Sequence, residues 1–255
     1  MTNEGGPVSE DLISNNQYSR DLDEFYSLIE CLKTQHGGWR YLSNCSGGMD
    51  WPEKGVYFFF EPDEMRNGSN TLRVVRVGTH AVSRGSKSTI WGRLRTHKGR
   101  VAGGGNHRGS VFRKLVGYAL IKRENYSGPA AGTWGEGNSA SRDIRTLEKD
   151  LEKKVSEHLW TMPFLWIEID DEAGPDSERA FIERNAIALL SNINGCPDIP
   201  STKWLGSLCS HSNIRESGLW NSNHVREKYS PLFISRFREF VERKNGRFID
   251  ENSGV

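Results

Sequence analysis

Four side chains far apart in the chain make up a set able to attack a phosphodiester. Tyr57 lies in the aromatic run Gly55-Val56-Tyr57-Phe58-Phe59-Phe60. Arg93 and His97 stand four residues apart, which puts them on one face of a helix, about one turn from each other. Glu183 sits beside the apolar stripe of a later segment, a place where a carboxylate can be fixed. A base activates water, a cation offsets the charge that builds on five-coordinate phosphorus, and a carboxylate holds Mg2+ against the leaving oxygen. Each residue also has a plainer reading. Tyr57 can be an ordinary strand aromatic, Arg93 and His97 a solvated helix face, and Glu183 a surface acid. His80, just after a strand candidate, either enters the site or ends a turn. His107 and Arg108, in the loop Gly103-Gly104-Gly105-Asn106-His107-Arg108-Gly109, either touch phosphate or supply loop polarity.

The elements that must position these residues follow from apolar spacing. Residues 1–18 are polar and read as a loose leader, and Leu22, Phe25, Tyr26, Ile29 and Leu32 then recur at helical spacing over about 20–34. The run 55–60 and the segment Leu72 to Gly78 read as strands joined through a polar loop holding Asn67-Gly68, which suits an antiparallel hairpin. Thr89 to Lys98 reads as a helix with Ser88 as its N-cap and Gly99 as its stop. Val111 to Ile121 fits helix or strand, 125–142 reads as a surface insertion, and a charged helix follows near 143–158. Phe164 to Ile169 is a third strand candidate. A helix capped by Asp176 or Ser177 runs to about Ser191, and Pro231 to Lys244 forms an amphipathic tail helix. The class is α/β in the α+β sense: a small three-stranded antiparallel sheet flanked by helices, with a large insertion and helical extensions at both ends. The expected division is a leader and helix over 1–50, a catalytic unit over 51–195 with an insertion about 100–162, and a helical extension over 196–255.

Charge is segregated. The 255 residues carry a net +1, yet the 59 positions from Met65 to Arg123 contain no Asp or Glu and fourteen Lys or Arg. Such a block repels itself unless a polyanion faces it or acids from elsewhere in the fold balance it. Arg76, Arg95, Lys98, His107 and Arg108 are the expected nucleic-acid contacts.

At these residues a family resemblance becomes nameable. Gly55-Val56-Tyr57 resembles the GIY half of the GIY-YIG nucleases, and Arg76-Val77-Gly78 resembles the YIG half, with Arg in place of the usual Tyr. Ile90-Trp91-Gly92-Arg93-Leu94-Arg95-Thr96-His97 is similar to the family's first-helix pattern. Ile182-Glu183-Arg184-Asn185-Ala186-Ile187 is similar to the helix that carries its metal-binding Glu, and Asn194 falls near its trailing Asn. These motifs cover about 55–98 and 163–195. The resemblance implies one-metal cleavage of a nucleic acid, double-stranded DNA foremost. Tyr57 would activate water, Arg93 would offset charge, His97 would contact phosphate or move a proton, and Glu183 would ligate Mg2+ or Mn2+. A single such site cuts one strand, so a double-strand break needs a homodimer or successive nicks. A module of the same fold that binds nucleic acid without cutting it is the alternative, and Arg76 argues for it.

Other readings are weaker. Gly78 and Gly85-Ser86-Lys87-Ser88-Thr89 cannot form a phosphate-cradling P-loop, because six residues separate the glycines and Ser86 precedes the Lys. Cys31, Cys45, Cys196 and Cys209 lack CxxC spacing, and a zinc set of Cys196, Cys209, His211 and His224 matches no usual interval. Trp204, Trp220, His224 and Tyr229 form either base contacts or a small satellite core. The polar start and the lack of a long apolar run make a cytoplasmic location the default.

Overall fold

The computed structural model describes residues 10–250. The sheet is antiparallel and four-stranded, in the order β1-β4-β2-β3. Its strands are β1 (Arg40–Tyr41), β2 (Gly55–Met65), β3 (Leu72–Gly78) and β4 (Pro163–Glu168). The three long strands are those expected. The fourth, β1, is a two-residue pairing of Arg40 and Tyr41 with Phe164 and Pro163, too short to leave a periodic signal.

β2 is central and carries apolar residues on both faces because both faces are covered. Val56, Phe58 and Phe60 point into a core shared with α1 (Glu10–Gln35), α6 (Glu178–Leu190) and α8 (Phe233–Asp250). Tyr57 and Phe59 point into a second core built with α2 (Ile90–Lys98), α3 (Val111–Arg123) and α5 (Lys149–Thr161). The sheet is thus sandwiched between two helical layers. The short α4 (Arg142–Leu147) precedes α5, and α7 (Ser212–Ser217) lies in the segment between α6 and α8.

Several boundaries depart from the sequence expectation. α1 starts at Glu10, so it takes in part of the stretch read as a leader; residues 1–9 lie outside the described part. The cap of α2 is Thr89, whose hydroxyl accepts the Gly92 N–H, one residue later than expected. Gly99 ends that helix at φ +75°, a conformation that favours a residue without a Cβ. The ambiguous segment after Ser110 is helical, and Ser110 caps it by accepting the Arg113 N–H.

The long stretch between α2 and β4 packs into the second core. Phe112 of α3 lies edge-on to Phe59 with centroids 5.4 Å apart. Trp204 and Trp220 belong to the same core rather than to a satellite, with both indoles donating to Glu61 Oε2 at 2.8 and 3.3 Å. All four cysteines are free thiols. No group of three metal-ligating side chains, the drawn zinc set included, forms among the described residues. No helix among them is long and apolar enough to cross a membrane.

Candidate active site

The site forms where the end of β3 meets the start of β2. Tyr57 pairs with Gly78 across the two strands. The phenol ring lies over that glycine so closely that a Cβ there would sit 2.4 Å from it. Between Phe59 and Phe60 the register slips: Phe59 faces Arg76 and Phe60 faces Val74, leaving Val75 as an extra residue. Regular alternation from Gly78 puts Arg76 on the Tyr57 face, where its guanidinium lies 4.6 Å over the Phe112 ring, and the bulge beyond it turns Val74 to the opposite core.

Two elements then bring in the partners of Tyr57. The α2 helix delivers His97, whose Nε2 lies 2.8 Å from Tyr57 Oη. The other ring nitrogen, Nδ1, is 2.8 Å from Ser110 Oγ. Both side chains are fully buried. Burial, with the charges of Arg93, Arg76 and Arg113, holds the His97 pKa well below the usual imidazole range. A neutral ring has one N–H, so it donates to one of these two partners and accepts from the other. Arg93, one turn earlier on the helix, is half-buried with Nη1 3.4 Å from the Gly109 carbonyl. Arg76 donates through Nη1 to the Trp220 carbonyl, comes within hydrogen-bonding reach of the Tyr57 phenol, and leaves Nε without a partner. Burial pushes its pKa down. Neither Arg76 nor Arg93 makes an ion pair among the described residues.

α6 supplies the carboxylate from the opposite layer, reaching past the end of the sheet. Glu183 Oε1 accepts the Thr79 N–H at 3.1 Å, and no described residue hydrogen-bonds to Oε2. Burial raises the carboxyl pKa, against the opposing pull of Arg76, His224, the Thr79 N–H and Arg93. Thr79 in turn donates its hydroxyl to the Gly55 carbonyl at 2.8 Å, tying both strands and α6 together.

The remaining expected residues lie apart from this cluster or are already engaged. His80 lies next to it, but Nδ1 is 2.9 Å from the Ser88 carbonyl and Nε2 accepts the Gly55 N–H at 3.3 Å. With burial lowering its pKa to about 4, it is a neutral fastening of the turn with no lone pair left over. Lys98 is buried and donates to the carbonyls of Cys45 at 2.6 Å and Ser43 at 3.3 Å. His107 is buried on Trp134, between Glu152 Oε1 at 3.0 Å and the Gly135 N–H. Arg108 forms a two-pronged pair with Glu148 at 2.6 and 2.9 Å. Arg95 is exposed.

The basic block is therefore balanced in part by acids from other segments. Arg66 pairs with Asp23 and Asp198, Arg73 with Glu64, and Arg113 with Glu152. Sequence reasoning missed Ser110, Thr79, Trp220 and Asn221. Ser110 carried a findable signal as a cap before an apolar segment. The others are fixed by contacts more than a hundred residues apart in the chain and left none.

A phenol on a neutral imidazole, two guanidiniums without carboxylate partners and one carboxylate with an open oxygen define a site suited to chemistry on a phosphate. The chain belongs to the GIY-YIG nuclease superfamily: a family model described as the GIY-YIG domain matches residues 16–247. That span runs well past the short motifs and takes in most of α1 and most of α8. Neither the curated proteins nor the solved structures give a match.

Proposed function

We propose that this protein is a metal-dependent endonuclease that hydrolyses phosphodiester bonds in DNA by in-line attack of water. The observation that carries this reading is the 2.8 Å contact between Tyr57 and His97 beside two unpaired guanidiniums. In the proposed reaction the Tyr57 oxygen takes a proton from the attacking water while its own proton passes to His97 Nε2, with Nδ1–H held by Ser110. Two of the three guanidiniums that, after burial, disfavour a charged His97, those of Arg93 and Arg76, are ones an incoming phosphate would neutralise, so substrate itself makes the imidazole a better proton acceptor. Arg93 and Arg76 offset the charge that builds on the non-bridging oxygens.

Glu183 is the residue suited to hold a divalent ion. It offers one open carboxylate oxygen, with no cation within ion-pair distance among the described residues, and hard oxygen donors are what Mg2+ or Mn2+ prefers. Such an ion, when bound, would polarise the phosphate and stabilise the leaving oxygen. Arg95, exposed on α2, is the remaining expected contact suited to the backbone, since Lys98, His107 and Arg108 are engaged within the fold. We take the substrate to be double-stranded DNA, the setting to be the cytoplasm, and a homodimer or successive nicks to be the route to a double-strand break.

Arg76 in place of the second-motif tyrosine favours a second reading, a binding module of the same fold that does not cut. Supercoiled plasmid incubated with and without Mg2+ separates the two. On the nuclease reading, nicked product appears with Mg2+, and Glu183→Ala lowers cutting at least about a hundredfold, about 2.7 kcal/mol of barrier, with DNA binding largely kept. Wild-type cutting by that variant would remove Glu183 from the ion site. Binding with a steep salt dependence and no cutting would establish the module.

A further inference from the structure

A second cleft opens on the same face of the sheet as Tyr57, one strand over. Trp166 of β4 is the register partner of Tyr57 on β2, and cross-strand partners carry side chains on one face about 5 Å apart at Cβ. The cleft encloses about 740 Å3, and its walls include Trp51, Trp166, Arg40, Asp50, Glu53 and Glu168. Trp51 spans the gap to the active site. Its ring lies 4.7 Å from that of Trp166 and stacks at 5.0 Å on Trp91, two residues before Arg93 on α2. The Ile90 N–H, where α2 begins, donates to the Glu53 carbonyl, which ties the wall of the cleft to the helix that carries the site.

Gln35 and His36, which also line this cleft, are engaged within the fold. Its acids are not: Asp50, Glu53 and Glu168 are exposed, and none makes an ion pair among the described residues. The Arg40 guanidinium gives Nη2 to the His36 carbonyl at 2.6 Å, while its Nε makes no hydrogen bond. Three carboxylates repel a phosphate, so the sugar-phosphate backbone does not run through this cleft. They accept N–H donors, and tryptophan faces stack flat rings.

We propose that this cleft receives a nucleobase swung out of the duplex in the strand being cut and favours cytosine and adenine, which carry an amino group at C4 or C6. The inference rests on the nuclease reading for its source of nucleotides. Cytosine and adenine present an amino donor to a carboxylate; thymine has a carbonyl at the corresponding position, facing an acid.

The test uses the full chain without divalent metal and measures binding of labelled single-stranded oligo(dC), oligo(dA) and oligo(dT). Oligo(dC) and oligo(dA) are expected to bind about tenfold tighter than oligo(dT). Glu168→Gln is expected to erase most of that preference. Trp51→Ala is expected to weaken all three, and Trp51→Phe to restore them. Equal binding of the three, or a preference that survives Glu168→Gln, overturns the inference, as does capture of an arginine-rich peptide in place of the oligonucleotides. Plasmid cutting with Mg2+ on the same preparations keeps the two ideas apart. Cutting without base preference sinks the cleft alone, whereas base preference without cutting supports the cleft and sinks the nuclease reading.

Discussion

Two buried histidines stand within one helical layer and differ in one respect. His107 rests on Trp134 at 3.8 Å, and its neighbours Arg108 and Arg113 are closed by Glu148 and Glu152. His97 lies beside Tyr57 and Phe112, and the guanidiniums of Arg76 and Arg93 that act on it form no ion pair among the described residues and feel only the longer-range pull of Glu183. The first cluster is finished by its own acids and holds the fold together. The second is left electrically open, a state that costs stability and makes sense when an anion completes it. Among residues of the same types in one basic block, the lack of a direct ion pair marks the site better than the presence of a histidine or an arginine.

This contrast can be broken at either end. The largest effect is expected in the closed cluster. Glu152→Ala would strand the fully buried Arg113 and is expected to cost about 3–5 kcal/mol in urea unfolding; an unchanged midpoint would mean the cluster is not closed by that acid. In the open cluster the same chemistry should register as rate instead. Arg93→Ala is expected to lower plasmid nicking by about 10²–10³, roughly 2.7–4 kcal/mol of barrier, with little change in melting temperature. A large drop in melting temperature would class Arg93 with the structural arginines. Gly78→Ala presses on the site without removing a functional group. The methyl would meet the Tyr57 ring, so a loss of about 1–3 kcal/mol in stability together with impaired cutting is expected; retention of both would show that the ring has room to move.

The last effect is a pH slope rather than the outcome of a single substitution. His80 and His97 both titrate lower in the folded protein than in the unfolded chain, His80 at about 4. Between that value and the unfolded value near 6.5, the unfolded chain binds more protons, so stability is full above about pH 6.5 and falls as the solution is acidified. Each histidine contributes at most about 1.4 kcal/mol per pH unit. A stability profile flat from pH 7 to 4.5 would show that neither ring is held neutral.

The strands and helices that carry the site were legible because their signals are local. The aromatic run at 55–60 reads as a strand, the Arg93–His97 spacing suits a helix face, and Asp176 or Ser177 offers a cap for α6, a place that Ser177 takes. The nuclease family could be read from four short motifs in order. What stayed illegible depends on partners distant in sequence. Lys98, His107 and Arg108 look like phosphate contacts in a chain with no nearby acid, yet their partners are backbone carbonyls near Ser43 or carboxylates some forty residues on. The bulge at Val75 reaches the sequence only as two hydrophobic residues before an arginine. The early start of α1 was hidden by a polar first turn, which propensity alone does not assign.

One contact on the outer side of β3 bears on how the molecule meets others. Asn221 presents its side-chain amide to the Val77 backbone, accepting the N–H at 3.1 Å and donating to the carbonyl at 2.8 Å, as the Trp220 N–H binds the Val75 carbonyl. A primary amide thus imitates a peptide group and plugs the margin where another chain would otherwise dock edgewise. Along Val75–Val77 the outer backbone groups of β3 are thus already engaged, and the hairpin beneath Tyr57 is closed to an added strand there.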